Sequence, residues 1–276
     1  MIDHVDTALR TTQNAVVGRH PATDRLIQGL TEAYALSWIY ARMASAQVRH
    51  AAPIRPGRLL WVDPAEIQRT VSWTRISADR KGEEHPRFQT PNYRLAGRVF
   101  GGEWDRREAW FEQSTIYESF LNHFEGGVPW ERTDFYKESI AAIDDGATLW
   151  GCETPESFDE RCEEVEQLYE RIGADGYSTQ RELNDQTHPI AAVDRLYRAV
   201  WGEIAVSVGR DGEWVFVDGR NRLAIAKLQE IDAVPVVVLV RHSGWQQLRN
   251  RVAQGTVGPS ALPDDVRSHP DLRTLF

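Results

Sequence analysis

The sequence predicts an α/β protein in which a β-sheet is combined with a long, mainly helical region. The first observation behind this prediction is the segment 203–242, which shows strand, turn, strand, helix and strand patterns in succession. The second is a series of helical patterns between about residues 105 and 200. The third is a helical pattern near the N-terminus, before the first predicted strand. The predicted sheet therefore joins strands that are far apart in the chain.

Composition places the chain among ordinary globular proteins. Its 276 residues include 41% hydrophobic residues, enough for a substantial buried core. The net charge of −9 argues against a general DNA-binding surface, because clustered lysine and arginine supply most non-specific affinity for nucleic acid. Two cysteines without C-x-x-C spacing favour a reducing compartment, so we predict a cytoplasmic protein. We expect neither a signal peptide nor a membrane-spanning helix, because no segment has the required apolar pattern.

The first predicted element is a helix from about Asp24 to Gln47. Asp24 can cap its N-terminus, and apolar or small residues recur at intervals of three and four on one face. These residues are Leu26, Leu30, Ala33, Tyr34, Ser37, Trp38 and Ala41. The stripe predicts packing against the core, with a homodimer interface as the alternative. We assign residues 1–57 to an N-terminal helical segment.

The first strand is predicted at Leu59–Val62, where an apolar run is stopped by Asp63-Pro64. A short helix is predicted for Ala65–Thr70, a mobile loop for Ser77–Pro91 and a second strand for Tyr93–Phe100.

The segment Gly101–Asp105 has two interpretations. Its glycine pair would allow close approach to a ligand, with Trp104 as a stacking platform and Asp105 as an acid or metal partner. The alternative is a plain turn around a buried tryptophan.

Three helices are predicted in the next part of the chain. Arg107–Phe124 has aromatic residues at helical spacing, Thr133 caps a second helix, and a third begins at Thr154-Pro155 and closes at Gly173. The aromatic residues are predicted to belong to the core. Cys162 is predicted to be a buried small hydrophobe and not a nucleophile.

The polar segment Gly176–Leu183 is a second candidate lining for a substrate site. It offers hydroxyl groups, an amide and Arg181, although serine and threonine also cap turns. A helix at Ala191–Trp201 is predicted to lead into the central hairpin.

The central hairpin is predicted to pair Ile204–Val208 with Glu213–Val217 across a glycine-containing turn. This pairing places Asp218 at the end of the sheet. Gly219 then ends the strand and opens a short helix, and Val234–Val240 is predicted as a buried strand.

The turn at Gly219 has the features of an anion site. A strand that breaks at a glycine and becomes a helix directs backbone N–H groups and the positive end of the helix dipole to one point. Arg220 and Arg222 add guanidinium groups that bind phosphate oxygens in pairs. Asp218 and Asn221 are candidates for holding a hydroxyl, an arginine or a metal-bound water. The structural alternative is that Asp218 caps the helix and both arginines are solvated.

The stretch Asp218–Ala226, followed by Val234-Pro235-Val236, resembles the signature of the ParB/sulfiredoxin superfamily. That signature usually contains D-G-x-H-R, an apolar helix and an I-P-V strand, and the close match covers about 40 residues. At the end of the chain a final helix is predicted at Trp245–Gln254, followed by a proline- and glycine-punctuated tail, so residues 243–276 are assigned to a C-terminal helix and tail. The resemblance implies a small mixed sheet over residues 58–242, with a helical insertion at about 105–200. It also implies that the turn binds nucleotide phosphates. Members include partition CTPases, sulfiredoxins, free-serine kinases and proteins labelled as nucleases, so fold does not determine function.

Two positions depart from the superfamily pattern. Arg220 stands where sulfiredoxins carry their catalytic cysteine, which argues against sulfiredoxin chemistry. Asn221 stands where kinase-like members usually have histidine, and asparagine cannot transfer a proton near pH 7.

We therefore predict that Asp218–Arg222 binds a nucleotide (ATP, ADP or CTP) or another phosphorylated small molecule, with phosphotransferase or phosphohydrolase chemistry. Asp218 would orient a hydroxyl or Mg²⁺, and Glu203 or Asp105 would be the base. No zinc site is predicted, because the eight histidines are scattered. The alternatives are a ParB-like DNA-associated protein or nuclease, and a non-catalytic interaction protein.

Overall fold

The computed structural model describes residues 21–71, 74–75, 88–89, 92–106, 109–185 and 202–276 of the chain. Two hydrophobic clusters lie on either side of a central sheet. Val206 and Phe216 belong to one cluster, whereas Ala205 and Val215 belong to the other. Since side chains alternate between the faces of a strand, this division shows that both faces are covered. The prediction of an α/β protein is confirmed.

The sheet combines strands from distant parts of the chain. The described strands are β1 (Leu59–Val62), β2 (Arg69–Thr70), β3 (Thr74–Arg75), β4 (Phe88–Gln89), β5 (Arg98–Phe100), β6 (Ile204–Val208), β7 (Trp214–Asp218) and β8 (Val234–His242). The order across the sheet is β1-β8-β6-β7-β2, and β5 pairs with the C-terminal part of β8. β6 is parallel to β8 and forms an antiparallel hairpin with β7. β3 and β4 form a separate pair.

Helices surround this sheet. The described helices are α1 (Pro21–Arg49), α2 (Asn92–Leu95), α3 (Thr115–Phe124), α4 (Asp134–Asp144), α5 (Pro155–Asp175), α6 (Gln180–Asp185), α7 (Arg220–Leu228), α8 (Ser243–Ala253), α9 (Asp264–Ser268) and α10 (Pro270–Arg273). Thr133 caps α4 and Thr154 forms a capping box at the start of α5, as the sequence indicates. α5 continues to Asp175 and ends before Gly176, which has a φ of 78°, so the predicted end at Gly173 is wrong.

The predicted stripe on α1 does not coincide with its buried face. Leu30 is 57% exposed, and Ala33, Ser37 and Ala41 are also exposed. The buried side chains are Ala35, Leu36, Ile39 and Ala46. Apolar residues occur on more than one face of this helix, so contacts with distant residues decide which face packs against the core. One such contact is that of Arg94, whose guanidinium lies 4.2 Å from the centroid of the Trp38 ring. The side chain of Leu26 lies outside the described residues, and the homodimer alternative stays a prediction.

Two local predictions near the start of the sheet are wrong. Pro64–Glu66 form a 3₁₀ turn, and the next residues pair with β7 as β2, so Ala65–Thr70 is not one helix. Tyr93–Phe100 contains the short helix α2 before β5, so only its end is a strand. In both places pairing and burial against distant elements override the local pattern.

The C-terminal region is more ordered than its sequence pattern suggests. The helix predicted at Trp245–Gln254 is present as α8, but the following tail contains α9 and α10, with Asp271 and Leu272 buried. The predicted helix Ala191–Trp201 and the loop Ser77–Pro91, apart from β4, lie outside the described residues. None of the described helices has the length and apolar character that crossing a bilayer requires.

Candidate anion-binding cleft

The hairpin β6–β7 brings two predicted site residues to one end of the sheet. Asp218 is the last residue of β7 and pairs with Ala205 of β6. Glu203 immediately precedes β6 and is 2% exposed. The two carboxylates therefore lie at the same end of the hairpin, where α7 begins.

Gly219 makes the sharp change from β7 to α7. Its φ of 91° and ψ of 32° lie in the left-handed region, which residues with a Cβ adopt at a cost. A Cβ built on Gly219 would lie 3.0 Å from the Cα atom of Ile204, closer than packed backbones normally tolerate. Glycine is therefore required both for conformation and for close approach to β6.

The start of α7 has no side-chain cap in the described structure. Gly219 occupies the N-cap position, and the Oδ1 atom of Asp218 accepts a hydrogen bond from Gly219 N at 2.8 Å, outside the first helical turn. The alternative in which Asp218 caps the helix is therefore wrong. The N–H groups of residues 220–222 stay available at the positive end of α7.

Asn92 fixes the other side of the Asp218 carboxylate. The Nδ2 atom of this buried residue of α2 donates to Asp218 Oδ2 at 3.0 Å. The orientation of Asp218 thus depends on a residue about 126 positions earlier in the chain, a dependence that no local sequence signal reveals.

Arg222 is anchored from behind by Glu203. Arg222 Nη1 lies 3.5 Å from Glu203 Oε2, and the two side chains are 16% and 1% exposed. Glu203 Oε1 accepts a hydrogen bond from Gln180 N, at the start of α6, at 2.7 Å. Burial raises the pKa of Glu203, and Glu182 adds to this effect, while the Gln180 N–H and Arg222 oppose it. Glu203 is therefore a group that positions Arg222 and α6.

Arg220 has a different environment from Arg222. Its side chain is exposed, and within the described ranges it forms no hydrogen bond or ion pair. Both arginines, together with Asn221, line the same open cleft of about 670 Å³. The structure therefore brings Asp218, Gly219, Arg220, Asn221 and Arg222 together at one surface.

The opposite wall of the cleft comes from α5, α6 and the turn before α5. The lining residues outside residues 216–222 include Trp150, Arg161, Leu168, Arg171, Gln180 and Leu183. Arg161 is paired with Glu164, whereas Arg171, like Arg220, has no ion pair in the part of the chain that the structure describes. Sequence reasoning missed these arginines. Leu168 follows Arg161 by seven residues, and Arg171 follows Leu168 by three. This spacing places the three residues on one face of a helix, and it could have grouped them.

Trp150 enters the cleft lining from a strained turn. Leu149 and Cys152 exchange two backbone hydrogen bonds around Trp150 and Gly151, whose φ values are 53° and 84°. A bulky residue with positive φ is uncommon and often occurs at a functional site. The Trp150 ring also stacks on Phe158, with centroids 5.6 Å apart. The cleft thus combines a fixed indole with several guanidinium groups.

Asp105 and Trp104 do not belong to this cleft. Asp105 accepts hydrogen bonds from the backbone N, Nε and Nη2 of Arg210, at 2.7–2.9 Å, and Arg210 lies in the turn at the other end of the β6–β7 hairpin. Burial acts to raise the pKa of Asp105, but the Arg210 hydrogen bonds outweigh it and lower the pKa to about 2. Trp104 is buried, which corresponds to the plain-turn interpretation. Asp105 is therefore not a base for this site, and the side chain of Arg181 lies outside the described residues.

Comparisons of this chain with protein-family models, with curated proteins and with solved structures gave no significant match. The resemblance of Asp218–Ala226 to the ParB/sulfiredoxin superfamily therefore stays a prediction. Among the described residues, no group of three or more His, Cys, Asp or Glu side chains is arranged to hold a metal ion. What the geometry defines is an arginine-lined cleft at an uncapped helix N-terminus.

Proposed function

We propose that this cleft binds a phosphorylated small molecule, and that a nucleotide is the ligand class it fits best. The observation that carries the proposal is the combination of an uncapped α7 N-terminus with Arg171, Arg220 and Arg222 on the walls of one cleft. Backbone N–H groups and guanidinium groups are the donors that bind phosphate in proteins.

The charge distribution supports an anionic ligand. The whole chain has a net charge of −9, yet the described lining contains four arginines and one carboxylate, Asp218. Glu164 and Glu203 pair with Arg161 and Arg222, which leaves Arg171 and Arg220 as the lining arginines without an ion pair among the described residues. Cations concentrated in a concave site on an acidic protein raise the local concentration of anions. The concave shape favours a small molecule over a DNA duplex, because a duplex needs an extended basic surface.

The residues have distinct roles in this proposal. Arg222 is held in place by Glu203 and would bind phosphate with little loss of side-chain freedom. Arg220 is exposed and would close on the ligand from the solvent side. Trp150 offers an aromatic surface for a nucleobase. Asp218 would orient a ligand hydroxyl.

Asp218 also fits as a carboxylate partner for Mg²⁺ that arrives with a nucleotide. Magnesium in nucleotide sites is usually held by one or two carboxylates and by phosphate oxygens. Asp218 lines the cleft, and its two oxygens each accept one hydrogen bond, from Gly219 and Asn92, which leaves further lone pairs.

Phosphoryl transfer or hydrolysis is the activity that the superfamily resemblance implies. Cys152 and Cys162 are free and buried, and the location in the cytoplasm stays a prediction.

Calorimetric titration with ATP, ADP and CTP, with and without Mg²⁺, tests the proposal. Arg220→Gln removes a cleft charge that forms no internal ion pair among the described residues, so we expect about tenfold weaker nucleotide binding without loss of stability. Arg132→Gln, at an exposed position outside the cleft lining, is the matched control and should bind like the wild-type protein.

Equal nucleotide affinity of the wild-type protein and Arg220→Gln would remove the cleft as the binding site. Phosphate release measured on the same samples tests catalysis, and binding without turnover would support the non-catalytic alternative. Salt-sensitive binding of duplex DNA that is weakened in Arg220→Gln would support the DNA-associated alternative.

A further inference from the structure

Two buried guanidinium groups share one buried carboxylate beside the C-terminal end of β8. Arg241 donates from Nε and Nη2 to the Asp271 carboxylate, at 2.8 and 2.6 Å. Arg249 of α8 lies 3.2 Å from the same carboxylate. Arg241, Arg249 and Asp271 are 4%, 3% and 3% exposed. This cluster therefore places an excess positive charge inside the protein, which is unfavourable unless it is compensated.

Neutral groups satisfy the other donors of Arg249. Its Nη1 donates to Gln246 Oε1 at 2.7 Å, and its Nη2 donates to the backbone oxygen of Pro53 at 3.1 Å. These oxygens complete the hydrogen bonding but carry no net charge. Burial, followed by the neighbouring Arg241, lowers the pKa of Arg249 to about 9. Asp271 therefore does not balance both guanidinium groups.

Arg241 has one donor group left over. Its Nη1 atom is buried and has no hydrogen-bond partner within the described residues, and leaving such a group unpaired is costly. Arg241, Arg249 and Asp271 line a cavity of about 40 Å³. The other lining residues are Pro53, Arg55, Arg58, Leu60 and Thr274. Because Asp271 occupies the Nε and Nη2 edge of Arg241, Nη1 is the donor that remains for this cavity.

The composition of the lining favours an anion over a water molecule alone. Arg55 and Arg58 are exposed, and their side chains form no hydrogen bond or ion pair in the described part of the chain. Four guanidinium groups thus surround a cavity whose described lining contains one carboxylate. The cavity exceeds the minimum of about 10–15 Å³ that one water molecule needs. Its small volume restricts an anionic occupant to a single small oxyanion.

We infer that this cavity, which we name the Arg241 pocket, binds one inorganic oxyanion of phosphate size. The anion accepts from Arg241 Nη1 and from Arg58 or Arg55 at the entrance, and it compensates the buried charge that Asp271 leaves unbalanced. It also links β8 to α10 and to residues 53–58. The pocket is separate from the cleft. Arg241 pairs with Val208 at the C-terminal end of β6, whereas Asp218, which lines the cleft, pairs with Ala205 near the N-terminal end of β6.

Thermal unfolding of the full chain in increasing inorganic phosphate, at constant ionic strength, tests this inference. We expect a saturable rise in Tm in phosphate and none when chloride replaces it. The double variant Arg55→Gln/Arg58→Gln removes two exposed charges without breaking a described internal contact, and it should shift the phosphate midpoint by tenfold or more.

Two controls separate the pocket from other sites. Arg132→Gln/Arg251→Gln removes two exposed arginines elsewhere and should keep the wild-type midpoint. Because the cleft is itself proposed to bind phosphate, the Arg55/Arg58 double variant is also compared with its parent in the Arg220→Gln background, where the shift in midpoint should persist. The inference is overturned if the wild-type protein gives no saturable rise, if chloride gives the same rise, or if the Arg55/Arg58 double variant keeps the wild-type midpoint. Loss of the rise in Arg220→Gln would assign the effect to the cleft and would also overturn it.

Discussion

Glu203 and Asp105 are two buried carboxylates at opposite ends of the β6–β7 hairpin, and their pKa values move in opposite directions. Their exposures are almost equal, 2% and 1%. Asp105 accepts three hydrogen bonds from Arg210, and its pKa falls to about 2. Glu203 accepts one short hydrogen bond from Gln180 N and meets Arg222 only at 3.5 Å, and its pKa is raised.

The difference shows at which end of the hairpin the charged groups are already fully paired with one another. At the Asp105 end, arginine and carboxylate satisfy one another, so the pair holds the turn in place and has little capacity for a ligand. At the Glu203 end, Arg222 is positioned but only partly compensated, and the exposed Arg220 stands beside it at the start of α7. The second end is the one that can accept an anion. Three substitutions test this difference between the two ends.

Gly219→Ala should have the largest effect, because it acts on both the backbone and the cleft. The left-handed φ and the 3.0 Å approach to Ile204 Cα together should lower the free energy of unfolding by about 2–3 kcal/mol. Gly255→Ala is the matched control, because Gly255 also has a positive φ, 70°, but an added Cβ would meet nothing within 4 Å. It should cost about 1 kcal/mol. Urea unfolding measures both values, and equal losses would show that contact with β6 is unimportant.

Asp105→Asn tests the end of the hairpin where Arg210 and Asp105 are fully paired with one another. Because the folded-state pKa of about 2 lies below the ordinary value of 3.8, the ionised carboxylate stabilises the fold above about pH 4. This stabilisation, about 2 kcal/mol, is lost as the pH falls from about 4 to about 2. The variant should be less stable than the wild-type protein at pH 7 and should approach it near pH 2. Urea unfolding across this range provides the measurement, and a constant difference would contradict the assignment.

Local sequence signals located the turn at the cleft but not the walls around it. The glycine-containing hairpin, the glycine between β7 and α7 and the β-branched strand β8 all have patterns that act over a few residues. Arg161 and Arg171 meet this turn only because α5 folds back across it, and Asn92 reaches Asp218 from α2. These contacts depend on the path of the whole chain, which periodicity does not encode.

The incorrect expectation for Asp105 has the same physical origin. A glycine pair followed by Trp and Asp is compatible with a ligand loop and with a buried turn. The deciding partner, Arg210, lies 105 residues later. For the same reason, the buried Asp271 in the C-terminal tail could not be recognised, because its charge is stabilised by Arg241 of β8. Residues whose role is decided by one distant partner are the ones that sequence reasoning missed.

Glu203→Gln should change the stability of the protein least. As the pH rises, its stability relative to the wild-type protein should increase, whereas that of Asp105→Asn should decrease. Because the pKa of Glu203 is raised above its ordinary value of 4.5, folding favours the neutral acid, and its contribution is present below about pH 4.5. That contribution is lost as the pH rises through the raised folded-state pKa. A glutamine stays neutral, and its amide oxygen can still accept from Gln180 N. The stability of the variant relative to the wild-type protein should therefore increase as the pH rises from about 4.5 toward neutral. Urea unfolding at intervals across this range measures the difference, and a relative stability that falls with pH would mean that Arg222 compensates Glu203 as fully as Arg210 compensates Asp105.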